Sequence, residues 1–220
     1  MKIHALNTGT VRVKHSFLFP RSGARRQLDL FLPGTWSEPL PIHCWAIEHE
    51  GVLCLIDTGE TAAARNVPFA RFDVAHDQEL RGAMDAAGLE LDDVSEVVLT
   101  HARLDGGPFG AFARSRALSD DGRIVAVETP GHTPGHISVI CVEDSGSHVM
   151  LAGDATDTLE QLQSLRADAI GPDPKVHVAT LETILAHCAQ HPTVYLPSHD
   201  PESAARLAGS IRSAEELPAP

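Results

Sequence analysis

The sequence predicts an α+β fold in which layered β-sheets carry helices on their outer sides. Short apolar runs bounded by Gly, Pro, Asp and Asn dominate the first third of the chain, and strand-like runs mix with helical patterns after that. A chain of 220 residues that is 43% apolar can bury a sizeable core. We therefore expect a single domain over residues 1–220, with its helices packed outside its sheets.

The first half is predicted to be mostly strand. IHALNTG and VRVKHSFLF are typical of two strands joined by an Asn-Thr-Gly turn, and PIHCWAIEH and VLCLIDTG are typical of a strand pair linked at Glu50-Gly51. Residues 20–41 are rich in Arg, Pro and Gly and show no clear period, so we expect a surface loop or arm there.

A helix and a strand complete this half. Asp77 is predicted to cap a helix that ends at Gly88, and VSEVVLTH is predicted to be a buried strand. The apolar face of the helix consists of Leu80, Ala83, Met84 and Ala87.

The second half combines strands with helices. An irregular segment leads to an Asp121-Gly122 hairpin signal before RIVAVETPGH, and HISVICVED and SHVMLAGD follow as strands. Thr158 with Gln161 predicts a capping box for one helix, and Asp173-Pro174 opens another. TVYLPSH is the last strand, and a C-terminal helix starts at Asp200-Pro201.

Composition limits the function classes. The net charge of −13 repels phosphate backbones, so we expect no nucleic-acid partner. MKIHALNTGTV has no long apolar region and no run is long enough for a bilayer span, so we expect no membrane partner and a cytoplasmic location. None of the four cysteines is paired as CxxC, and we interpret all four as reduced core residues.

Four apolar strand runs each end at a residue that can bind a metal ion: His101, His132, Asp154 and His199. Loops at strand ends commonly carry active sites, because a rigid frame holds them together. Three imidazoles and one carboxylate suit zinc, which takes four ligands, or three ligands and a water. The alternative is that each of these residues only caps a strand or fills the core.

Four motifs in a fixed order resemble the metallo-β-lactamase superfamily: LIDTG (55–59), ETPGHTPGH (128–136), LAGDA (151–155) and LPSHD (196–200). The closer similarity is to the branch of hydrolases related to acyl-homoserine lactonases. It covers nearly the whole chain and implies a four-layer αββα sandwich with a metal site at one edge between two sheets.

The resemblance also implies roles for single residues. His132 and His199 resemble metal ligands, and Asp154 resembles a carboxylate that bridges two metals. His136 resembles the histidine of the same motif that is not a ligand, and we expect it to be structural. Asp57 resembles a carboxylate that orients a ligating residue or the active-site loop.

The sequence departs from the family at its HxHxDH loop, for which it has THARLDGG. In one alignment this is a degenerate copy that keeps His101 and Asp105, the latter as a catalytic acid/base and possible ligand, with Arg103 and Gly106 at the lost positions. In the other, only Thr100-His101 belongs to the motif and the residues after it are deleted. We favour the second, because ARLDGGPFGAFARSRALSDDG contains no pattern for the helix and strand that the family usually has there.

Either alignment leaves too few ligands for two metals, so one zinc ion, or none, is expected rather than two. A fold shortened in its first half would also expose a sheet edge, which favours association as a homodimer.

A second departure is Asp157, which stands at the substrate-binding position where the lactonases have a Tyr that contacts the lactone carbonyl. A carboxylate there would repel a developing oxyanion. The only tyrosine, Tyr195, lies in a strand, and we expect it in the core.

The resemblance therefore implies a metal-dependent hydrolase of a small-molecule substrate, in which metal-bound hydroxide attacks a lactone, ester or amide carbonyl. The alternative is a protein of the same fold that has lost activity and serves as a binding module, or is a truncated product.

Overall fold

The computed structural model describes residues 1–21, 25–100 and 104–211. One predicted ligand, His101, lies outside the described residues, as do Arg103 and part of the predicted arm. The chain forms two compact units, of which the first comprises Met1–Leu99 and Asp168–Ile170 and the second comprises Thr100–Ala167 and the chain from Gly171 onward.

Each unit contains one five-stranded sheet, so the predicted mixture of α and β structure is confirmed. The first sheet has the order β4-β1-β2-β3-β5, in which only β5 runs parallel to its neighbour. Its strands are β1 (Lys2–Val13), β2 (Leu40–His49), β3 (Val52–Ile56), β4 (Ala70–Asp73) and β5 (Val94–Val98). The strand pair at Glu50-Gly51 is confirmed, and both turn residues have positive φ, at 50° and 80°.

The predicted turn at Asn-Thr-Gly is wrong, because β1 passes through it as one strand. The register with β2 shifts between Asn7 and Thr10, which marks a bulge rather than a chain reversal. Gly9 has a φ of +119° and donates its N–H to Asn7 Oδ1 at 3.0 Å. The turn-forming residues therefore bend the strand without ending its pairing.

Helices in the first unit are short. The segment after β1, predicted as strand, forms α1 (His15–Leu18), and the predicted arm includes a 3₁₀ turn at Leu28–Leu30. The next helix, α2 (Leu80–Ala86), packs Met84 into the core as predicted, and Gly88 with a φ of +73° follows its end. Asp77 does not cap this helix, because a separate 3₁₀ turn at His76–Gln78 precedes it.

β5 is an edge strand, which corrects the prediction of a buried strand. Among the described residues β5 is the last strand in the sheet order, and Ser95, Glu96 and Val97 are exposed. Val97 and the following Leu99 are 51% and 56% exposed. The run is apolar in sequence, yet none of the five residues of β5 is buried.

The second sheet has the order β10-β9-β8-β7-β6, with β9 and β10 parallel and the other pairs antiparallel. Its strands are β6 (Ser115–Ala117), β7 (Ile124–Glu128), β8 (Ile137–Val142), β9 (His148–Gly153) and β10 (Thr193–Pro197). The hairpin at Asp121-Gly122 is confirmed, and its first strand is β6, which the sequence pattern did not indicate.

Three helices belong to this unit: α3 (Leu159–Gln163), α4 (Pro174–Gln190) and α5 (Ser203–Gly209). The predicted start of α4 is confirmed, since Asp173 accepts the Lys175 N–H. Thr158 accepts the Gln161 N–H as predicted, but the reciprocal half of the predicted capping box is not seen, because Gln161 Oε1 accepts the Asp157 N–H. α3 and α4 pack on a core that contains Tyr195, which is fully buried as predicted.

All four cysteines are buried and none forms a disulfide, as predicted. Over the described ranges, no helix combines the length and apolar character that a bilayer span requires.

Candidate metal centre

The second sheet brings its ligand-bearing loops to one edge. β9 and β10 are parallel, so their carboxyl ends lie side by side, and Asp154 and His199 follow those ends. β8 is antiparallel to both β7 and β9, so the segment from β7 to β8, which contains His132, lies at the same edge. Topology alone therefore gathers three residues that are far apart in sequence.

The two imidazoles contact different oxygens of the Asp154 carboxylate. His199 Nε2 lies 3.3 Å from Oδ1, and His132 Nε2 lies 3.8 Å from Oδ2. The side chains are partly open to solvent, with exposed fractions of 27% for Asp154, 20% for His199 and 14% for His132. The three are thus close together and partly open to solvent.

The electrostatics favour an ionised carboxylate. Burial raises the pKa of Asp154, but the hydrogen bond and charge of His199 and the charge of His132 lower it by more, so the pKa lies well below its usual range. An ionised carboxylate beside two imidazole nitrogens attracts a cation.

α4 holds the turns on which two of these residues lie. Thr180 donates its hydroxyl to the Pro130 carbonyl, and His177 Nε2 donates to the Ala155 carbonyl at 2.8 Å. A Cβ on Gly131 would lie 2.6 Å from the His177 ring and 2.8 Å from its Cα, so only glycine lets the turn approach the helix this closely.

His199 is anchored from both sides. The N–H of Ser198 donates to the carbonyl of Gly153, which ties the residue before His199 to the residue before Asp154. Asp200 on the other side accepts the N–H groups of Leu159 and Glu202, each at 2.9 Å.

Thr100, which directly precedes His101 in sequence, also lies at this edge. Its carbonyl accepts the N–H of Ile137 at 2.8 Å, and its Cγ2 would lie 3.0 Å from a Cβ on Gly153. The placement of Thr100 beside β8 and β9 is compatible with the predicted role of His101, which stays a prediction.

The other predicted site residues are placed differently. Asp105 is exposed, whereas Asp157 is 6% exposed and donates its backbone N–H to Gln161 Oε1 at 2.7 Å. Asp57 belongs to the first unit, has a φ of 59° and donates its N–H to the Val98 carbonyl. Their roles toward a substrate or a ligand stay predictions.

Sequence reasoning missed His177 and Thr180, which support the site from α4. Both are buried, as is Leu181, an apolar residue of the same helix. Polar residues among the buried positions of a helix are a signal that a backbone group lies opposite them, because buried donors need acceptors.

Neither the models of known protein families nor the curated proteins contain a match to this sequence. Solved structures do match. An N-acyl homoserine lactone hydrolase with the product N-hexanoyl-L-homoserine at its catalytic metal center is similar with a TM-score of 0.72 and 16% identity over 96% of each chain.

Two further solved structures are similar to this chain over most of its length. A "probable metal-dependent hydrolase" from Staphylococcus aureus has a TM-score of 0.69 and 16% identity over 90% of this chain and 89% of its own. The hydrolase AbOPH, of the beta lactamase superfamily, has a TM-score of 0.61 and 17% identity over 92% and 88%. The chain has the metallo-β-lactamase fold. This confirms the predicted fold class, and the similarity at such low identity extends to the fold alone.

Within the metallo-β-lactamase fold, the donor set fits a transition-metal ion. His132 and His199 offer imidazole nitrogens and Asp154 offers an ionised carboxylate, the nitrogen and oxygen ligands that zinc takes in hydrolytic sites. These three residues are therefore the candidates to hold such an ion, and that role stays a prediction.

Proposed function

We propose that this protein is a metal-dependent hydrolase that cleaves a lactone, ester or amide bond in a small molecule. The observation that carries the proposal is the contact of the Asp154 carboxylate with His132 Nε2 and His199 Nε2 at one edge of the second sheet. The three solved structures reported above are hydrolases, two of them described as having or needing a metal, which supports the same reaction class.

A bound divalent ion supplies Lewis acidity and lowers the pKa of a coordinated water toward about 7. The chain supplies the rest. The hydrogen-bonded turns described above keep His132, Asp154 and His199 in place, and their partial exposure admits a substrate. His101 is proposed as a further ligand and Asp105 as an acid/base.

Zinc is the proposed metal, with one ion rather than two, because the sequence has no HxHxDH loop. Four buried cysteines that form no disulfide are typical of a reducing compartment, which supports the proposed cytoplasmic location.

The test is metal content and turnover. Protein purified without chelators is assayed by ICP-MS and against a panel of lactones, esters and amides, with zinc removed and restored. We expect close to one equivalent of zinc and zinc-dependent turnover, both lost in His132→Ala and His199→Ala. His76→Gln is the matched control, because the His76 side chain is 91% exposed and lies in the first unit. Less than a tenth of an equivalent of zinc in the unaltered protein would overturn the proposal.

A second candidate is a binding module of the same fold without catalysis. Asp157 favours it, because a buried carboxylate three residues after Asp154 disfavours negative charge developing on a carbonyl oxygen nearby. Stoichiometric zinc without turnover of any panel substrate would select this candidate. Restored or increased turnover in Asp157→Tyr would show that the carboxylate itself limits the hydrolase.

A further inference from the structure

Three buried side chains form a hydrogen-bonded chain that begins and ends on the backbone on either side of Gly153. Thr129, His136 and Ser138 are each 1% exposed or less. The chain runs from the Asp154 N–H through these three residues to the Ala152 carbonyl, with contacts of 3.0, 2.8, 2.9 and 3.0 Å.

The direction of every hydrogen bond follows from its two ends. The backbone N–H of Asp154 can only donate, so His136 Nε2 is the acceptor and the ring carries its proton on Nδ1. Nδ1–H then donates to Thr129 Oγ1 at 2.8 Å, with the Thr129 carbonyl as a second acceptor at 3.2 Å. At the other end, Ser138 donates to the Ala152 carbonyl, which can only accept, so Thr129 must donate to Ser138.

The geometry around Gly153 leaves little freedom. Gly153 has a φ of +59°, and a Cβ at this position would lie 3.0 Å from both His136 Nε2 and Thr100 Cγ2. Because the polar atoms are buried, breaking one link leaves a donor or acceptor unpaired at a cost of about 1–3 kcal/mol. The backbone that leads into Asp154 is therefore held in one conformation.

We propose that His136 is a positioning residue for Asp154. By accepting the Asp154 N–H, its Nε2 sets the direction in which the carboxylate leaves the strand, so that Oδ1 and Oδ2 face His199 and His132. His136 does not contact the substrate or serve as a ligand. The inference rests on the proposed function in that Asp154 is taken as a metal ligand.

Two variants test the two nitrogens of the His136 ring separately. In His136→Gln, the side-chain oxygen reaches the place of Nε2 and still accepts the Asp154 N–H. In His136→Asn, the shorter side chain reaches Thr129 but not Asp154. Both variants lose the ring, so loss of packing affects both, and their thermal midpoints are measured to correct for it.

The readouts are the zinc dissociation constant and the visible absorption of the Co²⁺-substituted protein. We expect His136→Asn to weaken zinc binding about 10-fold or more and to change the Co²⁺ bands, and His136→Gln to stay within about 3-fold of the unaltered protein with the same bands. Equal effects of the two variants on both readouts, or an effect on the thermal midpoint alone, would overturn the proposal.

A third readout does not need metal. Amide exchange of Asp154, followed by NMR in the metal-free protein, should be faster in His136→Asn than in His136→Gln relative to amides elsewhere in β9. If the protein bound metal but turned over no substrate, the proposed hydrolase activity would be refuted. The positioning role of His136 would still be tested by comparing the Co²⁺ bands of the two variants. If the unaltered protein bound no metal, the amide comparison would decide, and equal exchange in the two variants would refute positioning.

Discussion

His148 Nδ1 and His187 Nε2 lie 2.9 Å apart in the second unit, and the ring of His191 stacks against His148 with centroids 4.5 Å apart. Burial lowers the pKa of His148 and of His187 to about 4, and the neighbouring imidazoles act in the same direction. The three rings thus form a cluster that is stable only while His148 and His187 are neutral.

This cluster predicts acid sensitivity. The unfolded chain binds protons at these histidines near pH 6.5 and the folded chain only near pH 4, so their contribution is complete above pH 6.5 and is lost as the pH falls toward 4. The loss is on the order of 3 kcal/mol per histidine at most. Urea unfolding between pH 7 and 4.5 with a chelator present measures it. The double variant His148→Gln/His187→Gln should flatten the profile, and an unchanged slope would contradict the assignment.

Gly131→Ala should disturb the turn that carries His132. The new Cβ would collide with the ring and Cα of His177, so we expect a loss of about 1–3 kcal/mol in the free energy of unfolding, together with a reduced zinc content. Gly107→Ala is the matched control, because no atom lies within 4 Å of the Cβ that this substitution would add, and it should change stability by less than about 0.5 kcal/mol. Equal stability of the two variants would refute the close approach of the turn to α4.

Tyr195 and Thr156 share a buried hydrogen bond of 2.9 Å between their hydroxyl oxygens. Tyr195→Phe should cost about 1–2 kcal/mol, because it leaves the Thr156 hydroxyl without this partner in the core. A double-mutant cycle with Thr156→Val, measured by denaturant unfolding, should return a coupling energy of about 1 kcal/mol. Strict additivity would mean that the hydroxyls do not interact.

Asp200 connects α3 with α5 next to His199. It caps α3 through the Leu159 N–H, accepts the Glu202 N–H, and lies 3.4 Å from Arg206 Nη2, with both side chains almost fully buried. Asp200→Ala should therefore cost about 3–5 kcal/mol, since it leaves a buried guanidinium without its carboxylate.

Asp173→Ala is the comparison for a cap alone, because Asp173 is exposed and its carboxylate accepts the Lys175 N–H at the start of α4. It should cost about 1 kcal/mol. Similar losses in the two variants, measured by thermal unfolding, would mean that Asp200 acts only as a cap.

Local patterns predicted many elements well. The hairpin at Glu50-Gly51, the cap at Asp173 and the burial of Tyr195 depend on residues close in sequence or on apolar character, and the structure confirms them. Patterns failed where pairing partners decide the outcome. The Asn-Thr-Gly segment has the composition of a turn, but pairing with β2 on both sides makes it a bulge.

β5 illustrates the same limit for burial. Its apolar run predicts a buried strand, yet the run lies at the edge of the first sheet with Val97 exposed. The apolar character of one strand does not show whether the sheet places a second strand beside it, and so does not determine its burial.

For the candidate site, the sequence by itself determined which residues stand at the ends of strands, and the ordered motifs selected His132, Asp154 and His199 among thirteen histidines and thirty acidic residues. Only the tertiary structure decided that these three meet, because parallel pairing of β9 with β10 places their carboxyl ends together. It also decided what holds them there. His136, His177 and Thr180 act through backbone groups that are distant in sequence, and such contacts exist only once the sheet and α4 have packed.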